Sequence, residues 1–245
     1  VPPPNDILSA LGREVFAGGV IAAANHAADF VNKVDIFTIL GEREPYLNLV
    51  NDTLKANVNI NTLWRPGVPT TRKCRYVDPG HMKKLFEVYH FDDMPLNGKL
   101  ELQLLEMIED RAKNYDLVIA TDFGHGLMTD KIIEKIEKKS KFLAVNAQSN
   151  SANLGYNLIT KYKKADYVCI DAPEARLAMS DKYTDLGELI ECKLSEAIDC
   201  NKFIVTHGEK GCVSWSSGAG INQVPAFTSQ VVDTVGAGDA FLSVT

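Results

Sequence analysis

The feature that most constrains this chain is a regular alternation of short apolar runs with amphipathic stretches. The runs at 34–40, 116–121, 141–145, 167–170 and 202–206 are rich in Val, Ile and Phe and are bounded by turn residues, so each reads as a strand. Between them, 46–55, 99–113, 129–138, 155–162, 173–179 and 186–198 carry helical spacing. A helix over 19–31 precedes them, with Ile21, Ala24, Ala27, Ala28 and Val31 on one face. Strand and helix in turn predict βαβ units with right-handed crossovers. The fold class is therefore α/β: a doubly wound, mainly parallel sheet flanked by helices, its strands buried on both faces. In such sheets ligands gather beyond the carboxyl ends of the strands.

Two segments break the alternation. Residues 70–77 and 85–91 are extended runs joined by a turn at Asp78-Pro79-Gly80, and they predict a small β lid inserted at about 66–95. Residues 211–215 and 220–224 predict a hairpin at the sheet edge.

Composition narrows the function classes. With 245 residues, 45% hydrophobic and 24% charged, the chain has ample material for a folded core. Its net charge of −6 and its lack of a basic block argue against nucleic-acid binding. Five cysteines without a C-x-x-C pair point to a reducing, cytoplasmic setting. No run reaches the roughly 18 apolar residues of a spanning helix, so no membrane partner is expected. The chain starts without Met and stops within a helical pattern at 240–245, which reads as a fragment cut at both ends.

Chemistry concentrates in Val231-Val232-Asp233-Thr234-Val235-Gly236-Ala237-Gly238-Asp239-Ala240-Phe241, a strand end, a small-residue turn and a helix start in succession. Amides at such a helix start attract an anion such as a transferring phosphoryl group. Asp239 beside them suits a general base; a helix-capping carboxylate would look the same. No G-x-G-x-x-G completes here, and no P-loop motif occurs in the chain.

The stretch Asp233 to Asp239 resembles the second signature of the ribokinase-like (PfkB) carbohydrate kinases. Three further matches follow the family's order: Gly18-Gly19, the T-x-G-x-x-G-like run Thr206-His207-Gly208-Glu209-Lys210-Gly211, and Asp171-Ala172-Pro173-Glu174 in place of N-x-x-E. The resemblance implies one kinase domain over 1–245 that uses ATP and Mg²⁺, with room for a monovalent cation. It makes Asp239 the catalytic base and Gly236, Ala237 and Gly238 the anion hole. It assigns Thr206, Gly208, Gly211, Asp171, Asp233 and Thr234 to the nucleotide, and Glu174 to the metal. Gly18, Gly19 and Asn25 fall to the sugar, with Lys73 and Arg75 of the lid and Asp122 at a strand end.

Within the family, Pro69 to Arg75 and Asp116 to Gly126 look most like the heptose-phosphate kinase domain of bifunctional ADP-heptose synthesis enzymes. That likeness implies a sugar or sugar-phosphate substrate and a fused or partner nucleotidyltransferase. Some positions depart from the family. Ala22 and Ala23 stand where an asparagine is usual, Asn146-Ala147-Gln148 replaces an aspartate-proline-lysine run, and Asp171 replaces an asparagine. These departures keep a second reading open, a non-catalytic or weakly catalytic module that binds sugar phosphate or nucleotide. His125 between two glycines reads as a structural or solvated loop residue. The open edge of a lid hairpin points to a homodimer.

Overall fold

The computed structural model describes residues 13–78, 83–96, 98–228 and 236–245. Helix α1 (Val20–Ala27) leads into β1 (Val34–Arg43), α2 (Leu47–Thr53) and β2 (Val58–Pro69). The hairpin β3 (Arg72–Asp78) and β4 (Lys83–His90) follows, then α3 (Gly98–Arg111), β5 (Val118–Asp122), α4 (Asp130–Lys139) and β6 (Leu143–Ala147). Next come β7 (Tyr167–Asp171) and α5 (Ala172–Met179). A helical stretch is then built from α6 (Leu186–Leu189), a π turn (Ile190–Leu194) and α7 (Ser195–Ala197). Strands β8 (Lys202–Thr206), β9 (Cys212–Ser216) and β10 (Gly220–Val224) precede α8 (Ala237–Val244).

The main sheet has six strands in the order β10-β9-β8-β7-β6-β5. β5 to β8 are parallel, and β9 and β10 close the edge as the expected antiparallel hairpin. Alternate strand positions feed two cores. Val145, Val168, Ile170, Phe203 and Val205 pack with Ile133 and Ile136 of α4 and Leu189 of α6, whereas Ala144, Tyr167, Cys169 and Ile204 pack with Phe241 and Leu242 of α8. Helices therefore cover both faces, as a parallel sheet without polar alternation requires. β1 and β2 form their own parallel pair, and β3 with β4 a separate antiparallel one. No helix among the described residues is long and apolar enough to cross a membrane.

Three expectations change. The helix expected over 155–162 is only a 3-10 turn at Ile159–Lys161. Gly155 there has φ 79°, Leu154 is exposed, and the amides of Asn153 and Asn157 bind the main chain of other loops. The helix expected to reach residue 31 ends at Ala27, leaving Phe30 and Val31 exposed. The stretch 186–198 is helical but widened by its π turn. The hairpin turn at 79–80 lies outside the described residues.

One buried carboxylate ties these segments together. Asp122, 2% exposed at the end of β5, accepts from the Gly124 amide (3.0 Å) and the Tyr162 hydroxyl (2.9 Å) and pairs with Lys161 at 2.5 Å. Asn157 adds a donor at 3.3 Å. Tyr162 itself is fully buried. Tyr162→Phe therefore removes one donor from a buried charge, and we expect a loss of about 1–3 kcal/mol, read as a lower urea midpoint with an unchanged slope.

Candidate active site

The parallel strands end in line. Asp122 of β5 lies in register with Ala147 of β6, and Asp171 of β7 with Thr206 of β8. Side chains just beyond these ends form two groups, as expected for ligands at the carboxyl edge.

The first group lines a cavity of 3380 Å³ that holds Gly18, Gly19, Lys73, Arg75, Asp122, Gln148, Gly236, Gly238 and Asp239. This exceeds the roughly 300–1,000 Å³ of a typical ligand pocket because the same space runs on between β1 and the edge of β5. At its centre α8 begins at Gly236, whose φ of 78° is the left-handed geometry that glycine adopts without strain. No side chain among the described residues caps this helix start, so the first-turn amides of Ala237, Gly238 and Asp239 are donors that the helix itself does not use. Asp239 lies in that turn and is half-buried. Its Oδ1 accepts from Nε2 of Gln148 at 2.7 Å. Burial raises the Asp239 pKa above the usual carboxylate value, against the opposing effects of Gln148, Lys73 and His26. A half-buried carboxylate with one anchored oxygen beside a row of free amides is suited to accept a proton while an anion occupies the amides. Helix α8 packs on α1, which starts at the Gly18-Gly19 pair, so the two glycine turns and Asp239 belong to one packed unit.

The hairpin residues behave differently from one another. Arg75 pairs with Glu87 at 2.9 Å, and Glu87 also accepts from Lys84 and Tyr89. Burial opposes ionisation of Glu87, yet these hydrogen bonds prevail and hold its pKa at about 2. The Arg75 charge is thus already matched. Lys73 makes no ion pair among the described residues; its ammonium lies 5.2 Å from the Tyr89 ring centre and 5.9 Å from that of Phe123. Burial, then the charge of Arg75, lowers the Lys73 pKa.

Two residues expected at the sugar are engaged elsewhere. Asn25 donates to the Thr53 carbonyl (2.8 Å) and accepts from the Lys55 amide (3.0 Å), closing the end of α2. Asp122, although it borders the cavity, spends both oxygens on the contacts described above, so it positions the loop after β5. Asp233 and Thr234 lie outside the described residues.

The second group follows β7 and β8. Thr206 ends β8, and the turn after it is closed by His207 N–H to Gly211 O at 2.7 Å. Gly208 and Gly211 have φ of 54° and 86°, and a Cβ on Gly211 would lie 2.0 Å from the Val224 carbonyl oxygen. Only glycine lets this turn approach the β10 end so closely. Asp171 caps α5 by accepting from the Glu174 amide at 2.8 Å, and Glu174 returns the bond to the Asp171 amide at 2.9 Å. The other Glu174 oxygen accepts from the Ser149 amide at 2.9 Å. Burial, reinforced by Asp171, raises the Glu174 pKa to about 7, and Asp239 adds to the effect.

Adjacent residues of the loop after β6 therefore bridge the groups, with Gln148 holding Asp239 and Ser149 holding Glu174. Gln148 is the site residue that sequence reasoning missed; its only signal was the departure at 146–148. No cluster of three His, Cys, Asp or Glu side chains among the described residues is grouped to cage a metal. Glu174, whose pKa is raised by burial and then by Asp171, does fit a hydrated cation that arrives on nucleotide phosphates.

Comparison with known proteins names the family. The pfkB family carbohydrate kinase profile matches residues 8–244. The chain belongs to the pfkB carbohydrate kinase family. Among curated relatives, the bifunctional protein HldE of Desulfatibacillum aliphaticivorans is 27% identical over 232 residues, covering 93% of this chain and 46% of that protein. The HldE of Bradyrhizobium diazoefficiens is 24% identical over 243 residues, covering 96% and 48%. The chain thus spans about half the length of these relatives. Escherichia coli phosphofructokinase-2 in complex with fructose-6-phosphate superposes with a TM-score of 0.67 at 17% identity, covering 93% of this chain and 73% of that one. Arabidopsis thaliana ribokinase complexed with ribose and ATP gives 0.66 at 15% identity, covering 94% and 73%. At these identities the two structures establish that this pfkB chain has the ribokinase-like fold.

The Glu174 pKa carries a pH signature. Its folded value of about 7 lies above the unfolded 4.5, so the proton held in the folded state stabilises it fully below 4.5. That contribution is lost as pH rises through about 7. Urea titrations across this range are expected to show falling stability, and Glu174→Gln to flatten that slope.

Proposed function

We propose that this pfkB-family chain transfers the γ-phosphoryl group of ATP to a hydroxyl of a sugar or sugar phosphate, with heptose phosphate as the favoured class. The observation that carries the proposal is Asp239 at the uncapped start of α8, held through one oxygen by Gln148 in the cavity that also contains Gly18 and Gly19. In this reading Asp239 takes the proton of the attacking hydroxyl as its oxygen bonds to the γ-phosphorus and ADP departs. The amides of Ala237 and Gly238 stabilise charge on the phosphoryl oxygens, with Gly236 shaping their turn. Thr206, Gly208, Gly211 and Asp171 form the nucleotide side, and Glu174 faces Mg²⁺, which neutralises phosphate charge when bound. The hairpin at about 66–95 closes over the sugar as a lid and excludes water. The motif likeness at 69–75 and 116–126 and the HldE relatives support heptose phosphate.

The HldE relatives are named bifunctional and extend beyond the matched half, which supports a fused or partner nucleotidyltransferase. A second reading, a binding module with little turnover, is favoured by the departures from the family pattern at Ala22 and Ala23 and at Asn146 to Gln148, where asparagine, aspartate and lysine are usual. The hairpin pairs Tyr76 with Phe86 (4.3 Å between rings) and Cys74 with Val88, and the exposed Phe86 and Val88 support a homodimer through the lid.

The test is turnover by the full-length protein on heptose phosphates, hexose phosphates and free sugars. Asp239→Asn is expected to lower kcat by about 10²–10⁴-fold with ATP binding retained. Turnover equal to wild type would overturn the mechanism, and binding without turnover would favour the module. Gln148→Ala removes a bond that holds the Asp239 pKa down. The acid limb of its kcat/KM profile is therefore expected to move to higher pH, with kcat about tenfold lower.

A further inference from the structure

The loop after β5 presents a histidine that the phosphoryl-transfer chemistry does not use. His125 lies between Gly124 and Gly126, whose φ values are 70° and 80°. A Cβ on Gly124 would lie 2.0 Å from Nδ2 of Asn153, and one on Gly126 2.3 Å from the Met94 carbonyl oxygen. The backbone on each side of the imidazole is thus fixed by close packing. Its ring rests on Phe91 at 4.8 Å between centres, and Phe91 in turn packs on Tyr89 at 5.8 Å. Yet both ring nitrogens are shielded from solvent and neither has a hydrogen-bond partner among the described residues. Buried polar atoms are rarely left so, because an unpaired one costs the whole of its lost hydration.

Lys73 shares the same walls. Its ammonium lies over Tyr89 and Phe123, makes no ion pair among the described residues, and faces the cavity that also contains His125 and Asp239. Burial, then the Lys73 charge, lowers the His125 pKa, so at neutral pH the imidazole is uncharged with one N–H to donate. The charged groups around it are Lys73, Asp122 and Asp93. Asp122 is paired with Lys161 and Arg75 with Glu87, so neither satisfies Lys73 or His125. A partly desolvated cation beside an unused N–H donor calls for an anion with several acceptor oxygens. A neutral hydroxyl would fill the hydrogen bond and leave the charge unmatched.

We propose that His125 and Lys73 together bind a phosphate group already carried by the sugar, so that the enzyme selects phosphomonoester substrates over free sugars. The inference rests on the kinase reading and sharpens it. Lys73 supplies charge, His125 supplies a directed donor, and Asp239 meets the hydroxyl elsewhere in the same cavity.

Two measurements on the full-length protein test it. Inorganic phosphate, titrated while the imidazole signals are followed by NMR, is expected to shift those of His125 saturably, with Lys73→Met weakening the response about tenfold. In kinetics, His125→Ala is expected to raise KM for a heptose phosphate about tenfold while kcat stays within about twofold. The same heptose without phosphate should be unaffected, and His125→Gln, which keeps an N–H, should recover part of the loss. His125 signals indifferent to phosphate, or an equal loss on both substrates, would overturn the inference. Failure of the kinase reading would appear separately, as Asp239→Asn turnover equal to wild type.

Discussion

The loops after β5 and β6 are held, directly or at one remove, by the carboxylate of Asp122. It is buried at the end of β5, where an unmatched charge would be costly, so Tyr162, Lys161, Asn157 and the Gly124 amide must converge on it. Those four donors come from two loops distant in sequence. Asn157 also donates to the Gln148 carbonyl at 3.1 Å, which carries the constraint to the residue that grips Asp239. The placement of Asp239 is therefore set partly by an ion cluster that has no need to touch a ligand.

The loop after β6 then divides the chemistry. On one side Gln148 holds Asp239 within the cavity of the glycine turns and Lys73; on the other Ser149 holds Glu174 above the turn after β8. Three carboxylates, Asp171, Glu174 and Asp239, thus stand near one another across a single peptide. Burial raises all three pKa values against the hydrogen bonds that oppose it, and for Glu174 the charges of Asp171 and Asp239 add to the effect. Lys73, the cation closest to balancing Asp239, comes from the hairpin rather than from the sheet.

Much of this was legible in the sequence, for identifiable reasons. Strand runs and helix periods report burial, and burial decided β5 to β8, the hairpin β3–β4 and the edge pair β9–β10. The turn at Gly236 was legible because small residues at a strand–helix junction have few alternatives. What escaped were hydrogen bonds between residues remote in sequence. Asn25 looked like a ligand residue because nothing local shows that Thr53 and Lys55 occupy its amide. The stretch 155–162 had helical spacing, yet Asn157 was claimed by Asp122, a tertiary demand that overrides local preference. Gln148 was invisible as a positioning group because its partner lies 91 residues away.

The capping box at the start of α5 has a consequence for how ligands are felt. Glu174 closes the helix by accepting the Asp171 amide, and in the proposed function the same carboxylate would contact a cation carried on phosphate. Any ligand that draws Glu174 away therefore frees an amide at a helix N-terminus, next to where phosphate oxygens arrive. Losing the cap and gaining the ligand become one exchange. In the proposed kinase reading the helix end would act as a reservoir of hydrogen bonds, and nucleotide occupancy would be coupled to the order of α5 through this one carboxylate.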